Sequence, residues 1–114
     1  MAKQRNIHTT FWTDGFVRKI NPLDRYIFLY FLTNDHSNLC GVYEIPLDVI
    51  SFETGLTVLE LQTSFLPRLE PKILYRDGWV YIKNFEKFHE QGSPKIKIGI
   101  NAAKNEVPSH IWEL

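Results

Sequence analysis

The sequence has little cysteine and no long apolar run. Its single cysteine, Cys40, excludes an internal disulfide, and a lone thiol favours a reducing compartment. No stretch approaches the ~18 consecutive apolar residues of a membrane span, and no apolar signal segment follows the basic start of the chain. We therefore expect a cytoplasmic protein that makes no contact with a membrane.

An excess of charge of one sign is also missing. The 114 residues carry 13 basic and 13 acidic side chains, so the formal net charge is zero. Nucleic-acid binders usually show a basic excess or a concentrated basic face, and only the distribution of charge can supply that here. The basic residues gather toward the two ends of the sequence: Lys3, Arg5, Arg18 and Lys19, then Lys83, Lys87, Lys95, Lys97 and Lys104.

Residue patterns for catalysis and metal binding are absent too. The four histidines are scattered and lack metal-ligand spacing relative to Cys40. The adjacent residues 35–37 contain the residue types of a catalytic triad, but neighbours in a loop do not assemble one. No glycine-rich phosphate loop occurs. We expect neither an enzyme nor a cofactor.

Apolar side chains, by contrast, are plentiful. They make up 44% of the residues and include eight phenylalanines, which is enough to build the core of one domain. A short helix or turn is predicted around residues 11–14. The first strong element is predicted to begin at Asn21-Pro22-Leu23-Asp24, because asparagine caps helices, proline favours the first helical position and an early aspartate suits the helix dipole. The apolar run 26–32 that follows predicts a central, buried helix.

A strand, two helices and a hairpin are predicted next. Residues 41–45 favour a strand, and residues 46–54 a short helix that ends at Gly55. Thr57 and Glu60 match a capping box that starts a helix over 57–69, which Pro67 is expected to kink or shorten.

Asp77-Gly78 favours a two-residue hairpin turn, because both residues tolerate positive φ. Pairing outward from this turn sets Arg76 opposite Trp79, and alternation then sorts the side chains into two faces. Ile73, Tyr75, Val80 and Ile82 are assigned to the core; Leu74, Arg76, Trp79, Tyr81 and Lys83 form the other face. A last helix is predicted from Ser93-Pro94 to Pro108.

The order helix, strand, helix, glycine turn, capped helix, hairpin predicts a fold class. It is the plan of an α+β, mainly α, winged helix-turn-helix with a small antiparallel wing sheet. Residues 1–107 are assigned to this domain, and residues 108–114 to a tail or the start of a linker.

Several short pieces carry a family resemblance, and they span residues 5–107 in order. They are Arg5-Asn6-Ile7, Phe11-Trp12-Thr13-Asp14, Pro22-Leu23-Asp24-Arg25, Gly41, Tyr81-Ile82-Lys83-Asn84-Phe85, Phe88-His89, Ser93-Pro94-Lys95 and Gly99-Ile100. Together they resemble the N-terminal winged-helix domain of phage replisome organisers and DnaD-like replication initiation proteins. The resemblance implies DNA binding, self-association and recruitment of a helicase loader. It also implies a further C-terminal domain, so that this chain is interpreted as a fragment of a longer protein.

The second helix of a helix-turn-helix enters the major groove, which makes residues 57–69 the first candidate DNA surface. Gln62 and Thr63 lie on its outward side, where Gln62 can read adenine, and Arg68 can hold guanine or phosphate. Glu60, near the amino-terminal end of this helix, would repel phosphates. A merely solvated polar face is the alternative interpretation.

The hairpin and the amino-terminal arm are further candidates. The outward hairpin face combines Arg76, Trp79 and Lys83 with Tyr81, which suits contact with single strands or a minor groove. The alternatives are cross-strand packing covered by terminal segments, or a protein interface. Lys3 and Arg5 can follow a phosphate backbone; the alternative is a disordered, solubilising terminus.

Self-association is a separate hypothesis for the same fold. Tyr81, Trp112 and Leu114 are the candidate interface residues, because exposed apolar side chains mark partner surfaces. A sequence-specific transcriptional regulator is a third interpretation, and it would require a helix better suited to reading bases.

Overall fold

The amino-terminal arm is paired with distant parts of the chain. The computed structural model describes residues 4–85, 88, 104–105 and 107–113. The His8 amide donates to the Phe88 carbonyl at 2.6 Å, and the Arg5 side chain bonds to Ser37. The arm is therefore held against the domain from residue 5 onward.

Two short helical segments follow the arm. A 3-10 turn at Thr9–Thr13 matches the turn predicted around residues 11–14, whereas helix α1 at Gly15–Lys19 was not predicted. The carboxylate of Asp14 caps α1 by accepting the amides of Phe16 and Val17 at 3.0 and 3.1 Å. An aspartate one residue before the helix was the signal for α1.

The predicted central helix is present as α2, Pro22–Thr33. Asn21 caps it by accepting the Asp24 amide at 2.9 Å, and Pro22 occupies its first turn. Its buried apolar face forms the centre of the main core, because Ile27, Phe28, Phe31 and Leu32 are all shielded from water.

The predicted helix pair is present on either side of Gly55. Helix α3 covers Leu47–Thr54, and Gly55 ends it with a φ of +81°. The capping box then starts the next helix: the Thr57 hydroxyl accepts the Glu60 amide at 3.0 Å, and the Glu60 carboxylate accepts the Thr57 amide at 3.1 Å. We call the helical stretch over residues 58–69 α4.

Pro67 does not shorten α4, and that part of the prediction is wrong. The backbone stays helical to Leu69, but Leu61–Phe65 forms a π-helical turn in which the Leu66 amide bonds to the Leu61 carbonyl. In a regular α-helix, the proline ring would collide with the carbonyl four residues earlier, and it offers no amide in return. The wider turn accommodates the proline without ending the helix.

Within the described residues, three strands form one antiparallel sheet: β1 at Val42–Glu44, β2 at Ile73–Arg76 and β3 at Trp79–Ile82. Their order in the sheet is β1-β3-β2. The predicted hairpin register is confirmed, with Arg76 opposite Trp79 and positive φ at Asp77 and Gly78. The α+β class with a small antiparallel sheet is therefore present.

The two faces of the sheet pack against different residues. Ile73, Val80 and Ile82 join the main core, as predicted, and Tyr75, the fourth residue assigned to it, packs against that core while partly buried. On the opposite face, a second apolar cluster contains Val42, Val107 and Ile111, with Cys40, Trp79 and Tyr81 packed against it. The 3-10 turn Ser109–Glu113 thus lies on the outer side of the sheet. Most of the predicted last helix falls outside the described residues; residues 104–105 are helical.

Within the described residues, every helix is too short or too polar to cross a bilayer.

The packing of Cys40 against the second cluster leads to a prediction about the reactivity of its thiol. Burial raises the pKa of this thiol, which lowers the fraction present as the reactive thiolate. We expect Ile111→Ala to loosen the cluster and to speed alkylation of Cys40 by iodoacetamide several-fold under native conditions. Phe52→Ala, at an exposed site on α3, is the matched control and should leave the rate unchanged. Equal rates in all three proteins would show that residue 111 does not shield the thiol.

Candidate nucleic-acid interface

A groove between α4 and the β2–β3 hairpin brings together two of the predicted site residues. It has a volume of about 200 Å³, and its lining contains Leu47, Gln62, Leu66, Pro67, Glu70, Tyr75 and Arg76. Gln62 lies in the π-helical turn and Arg76 at the end of β2. Gln62, the proposed adenine contact, and Arg76, a candidate DNA contact of the hairpin, therefore share one concave surface.

Arg76 is held at the edge of this groove by an exposed ion pair. Its Nη2 lies 2.6 Å from Oε1 of Glu70, and its Nη1 donates to the Tyr75 carbonyl at 2.9 Å. Both partners of the pair are about half exposed, so water competes with their attraction. Such pairs contribute about 0–1 kcal/mol, and a phosphate can take the place of the glutamate at little cost.

The amino-terminal half of α4, which we call its front, has an exposed side that carries no cation. Gln62 and Thr63 face solvent, and the Thr63 hydroxyl donates to the Leu59 carbonyl of its own helix at 2.7 Å. Hydrogen bonds from Thr57 lower the pKa of Glu60, so this carboxylate stays ionised at the start of the helix. Phosphates approaching this end of α4 would meet a negative charge.

Arg68 contacts the interior of the domain. Its Nε and Nη2 bond to the two carboxylate oxygens of Asp24 at 2.9 and 3.0 Å, and its guanidinium lies 4.9 Å from the centre of the Phe65 ring. The hydrogen bond to Asp24 raises the pKa of Arg68. In this arrangement Arg68 joins α4 to α2, and its proposed contact with guanine or phosphate would require it to leave Asp24.

The aromatic residues on the outer face of the hairpin are covered by a terminal segment. Trp79 and Tyr81 are half-buried against the cluster that contains Ile111, and the Trp112 ring meets Tyr81 edge-on at 6.1 Å. This is the packing that the alternative interpretation described. Lys83 is half-buried after β3, where its amide donates to the Lys72 carbonyl.

Arg5 is anchored to the loop that follows α2. Its Nε donates to the Ser37 hydroxyl at 3.0 Å, and its Nη2 donates to the Ser37 carbonyl. Burial lowers the pKa of Arg5. Lys3 and Leu114, the two remaining candidates, lie outside the described residues.

A second concave surface was missed by sequence reasoning. Trp12, Val17, Arg18 and Arg25 line a cleft of about 290 Å³ between α1 and the first turn of α2. In the sequence, Trp12 belonged to a predicted short helix or turn, and Arg18 was one of the basic residues gathered near the amino-terminal end. The spacing of these residues gave no signal, because they meet only after the chain reverses between α1 and α2.

No protein-family model, curated protein or solved structure significantly matches the chain. In the part of the chain that the structure describes, no three or more metal-ligating side chains gather in one place.

Proposed function

We propose that this chain is the DNA-binding, winged-helix module of a phage-type replication initiation protein, acting in the cytoplasm. The observation that carries the proposal is the groove in which Gln62 of α4 and Arg76 of the hairpin meet. The arrangement of the elements supports it: α2 is bonded to both α3 and α4, the β2–β3 hairpin follows α4 and shares a groove with it, and we interpret this hairpin as the wing. A helix and a wing side by side match the two contact elements of winged helix-turn-helix proteins.

Binding by a single module is expected to be modest. Each phosphate neutralised by a cation steepens the salt dependence of duplex binding by about 0.9 in the log–log slope. The groove offers one arginine, and the chain as a whole carries no net positive charge. Several copies bound side by side would multiply the affinity. Such side-by-side binding fits the self-association that the resemblance to replisome organisers implies. We include self-association in the proposal, together with the recruitment of a helicase loader that the same resemblance implies.

The groove is tested with two substitutions in one ion pair. Arg76→Ala removes a phosphate contact and should weaken duplex binding roughly three- to tenfold, with a shallower salt slope. Glu70→Gln removes the carboxylate that competes for Arg76 and should strengthen binding by a similar factor. The measurement is fluorescence anisotropy of labelled duplex DNA at two salt concentrations.

The two substitutions are expected to change DNA affinity in opposite directions, which separates an effect on DNA binding from an effect on protein stability. Both substitutions break the same exposed ion pair, so any loss of folded protein would change binding in the same direction. Flat traces for the unmodified protein at low salt would overturn the proposed function. Equal changes for both variants would overturn the role of the groove.

A protein-interaction module is the second candidate function. Phe52 on α3 is 86% exposed and Leu59 at the front of α4 is 69% exposed, so apolar surface stands on both helices of the pair. If this surface drives self-association, sedimentation velocity will show a dimer or larger species that Phe52→Ser reduces. A strict monomer over a wide concentration range would count against this candidate.

A further inference from the structure

We propose that the cleft between α1 and α2 binds one nucleotide unit of single-stranded DNA. The base stacks on Trp12, and the phosphate lies between Arg18 and Arg25. This inference rests on the proposed function only in taking DNA as the ligand; its surface is separate from the groove beside the hairpin and contains none of the same residues.

The indole of Trp12 is anchored on one side and open on the other. Trp12 is 58% exposed, although tryptophan is usually well covered in a folded domain. Its ring packs edge-on against the buried ring of Phe11, with 5.1 Å between the ring centres and 88° between the planes. Phe11 in turn contacts Phe28 of the main core. The exposed indole is therefore a rigid surface for stacking, so little conformational entropy is lost on binding.

The two arginines of this cleft differ from the other arginines of the chain. Arg5, Arg68 and Arg76 are each bonded to the side chain of another residue, namely Ser37, Asp24 and Glu70. Among the described residues, neither Arg18 nor Arg25 forms an ion pair with a carboxylate. Two guanidiniums that form no ion pair within the described residues thus line the same cleft as the exposed indole.

Arg25 is also held in position. Its Nε donates to the carbonyl of Val17, in the middle of α1, at 3.1 Å. This bond leaves the two terminal nitrogens of the guanidinium for an anion, and Arg18 is exposed on the same cleft. Arginine suits phosphate because its planar fork can donate two parallel hydrogen bonds.

Size and chemistry together favour a nucleotide unit. The cleft, about 290 Å³, lies at the small end of ligand pockets, which range over roughly 300–1,000 Å³. Flat aromatic surfaces with adjacent cations are the usual means of holding single strands, whose bases are free to stack. In a duplex the bases are already stacked and cannot reach Trp12. An acidic peptide would use the arginines but would leave the indole face unused.

The test compares four variants of the full chain by anisotropy of labelled oligothymidylate. Base stacking is worth about 1–3 kcal/mol, so Trp12→Ala should weaken binding by about fivefold or more, and Trp12→Phe by less. Arg18→Ala should also weaken binding and make the salt slope shallower by about 0.7. Lys19→Ala removes a neighbouring exposed charge that does not line the cleft, and it should have a smaller effect than Arg18→Ala.

Three further measurements decide between ligands. The first is the affinity for duplex DNA, which Trp12→Ala should leave unchanged and Arg76→Ala should reduce. If Trp12→Ala lowers the affinity for duplex DNA and for oligothymidylate equally, the cleft assignment is wrong. Free thymidine monophosphate that binds as tightly as the oligomer would show that the ligand is a mononucleotide and overturn the assignment to a strand. Polyglutamate that competes as well as oligothymidylate would show a general anion site and overturn it as well.

The two proposals fail in distinguishable ways. If duplex binding depends on Arg76 while Trp12→Ala leaves oligothymidylate binding unchanged, the cleft assignment alone is wrong. If neither form of DNA binds at low salt, both proposals are wrong. Circular dichroism of each variant identifies any that does not fold, and Arg18→Ala remains informative because this exposed side chain forms no hydrogen bond that holds the fold within the described residues.

Discussion

Gly41→Ala is expected to destabilise the protein by about 3 kcal/mol or more, because two separate costs fall on one methyl group. Gly41 has a φ of +78°, a conformation that residues with a side chain rarely adopt. An added Cβ would also lie only 2.5 and 2.6 Å from two carbons of the Phe85 side chain. Phe85 is buried in the main core, so its ring has nowhere to move.

The backbone at Gly41 cannot shift to relieve this overlap. Its amide donates to Oδ1 of Asn38 at 3.0 Å, and its carbonyl accepts the Ile82 amide of the neighbouring strand at 2.9 Å. Moving the residue would break a bond at the start of the sheet. Urea unfolding followed by circular dichroism measures the loss of stability.

Two other glycines separate the two costs. Gly55→Ala, at a φ of +81° with open space around the new carbon, isolates the conformational cost and should lose about 1 kcal/mol. Gly15→Ala, at the start of α1 with open space and no positive φ, should be neutral or slightly stabilising. If Gly41→Ala and Gly55→Ala cost the same, the contact with Phe85 is not a source of strain.

Arg68→Met is expected to destabilise the protein by about 2–3 kcal/mol, because it leaves a buried carboxylate without its cation. Asp24 is only 2% exposed, and among the described residues it then keeps one side-chain donor, Nδ2 of Asn21 at 3.1 Å. Breaking a fully buried pair costs about 3–5 kcal/mol. We expect less here, since Arg68 is 46% exposed and water can reach the vacated position.

An exposed ion pair in the same protein provides the control. Arg76→Met breaks the pair with Glu70, in which both side chains are about half exposed, and it should cost at most about 1 kcal/mol. A double-mutant cycle with Asp24→Asn and Arg68→Met then measures the coupling directly, with urea unfolding as the readout. A coupling energy near zero would mean that Arg68 does not hold α4 to α2 in solution.

The parts of the fold that the sequence predicts are those determined by neighbouring residues. The turn Asp77-Gly78 fixes the hairpin register, because a two-residue turn allows one pairing. The cap Asn21 and the Thr57–Glu60 box mark helix starts for the same local reason. Each of these features can be read within a window of about four residues.

The unpredicted features depend on residues far apart in the chain. Asp24 looked like a residue that complements the dipole of α2, and nothing nearby indicated a partner 44 positions later at Arg68. Trp79 and Tyr81 alternate correctly for an outer face, but alternation does not say what covers that face. The candidate groove was half predicted: Gln62 and Arg76 were both named, but only the folded chain places them together. DNA binding itself, and the winged-helix assignment, remain predictions.

The π-helical turn in α4 constrains how this sequence can change in length over evolution. Such a turn accommodates one residue more than an α-helical turn does, and each α-helical residue rotates the helix by about 100°. Deleting one residue within Leu61–Phe65 would remove the wider turn that accommodates Pro67, and it would turn the amino-terminal half of α4 away from the hairpin while Arg68 stayed on Asp24. Substitutions in this segment change single contacts, whereas a one-residue deletion would reorient the whole front half of the helix. Descendants of this sequence are therefore expected to vary at the exposed positions Gln62 and Thr63 while conserving the number of residues between Thr57 and Arg68.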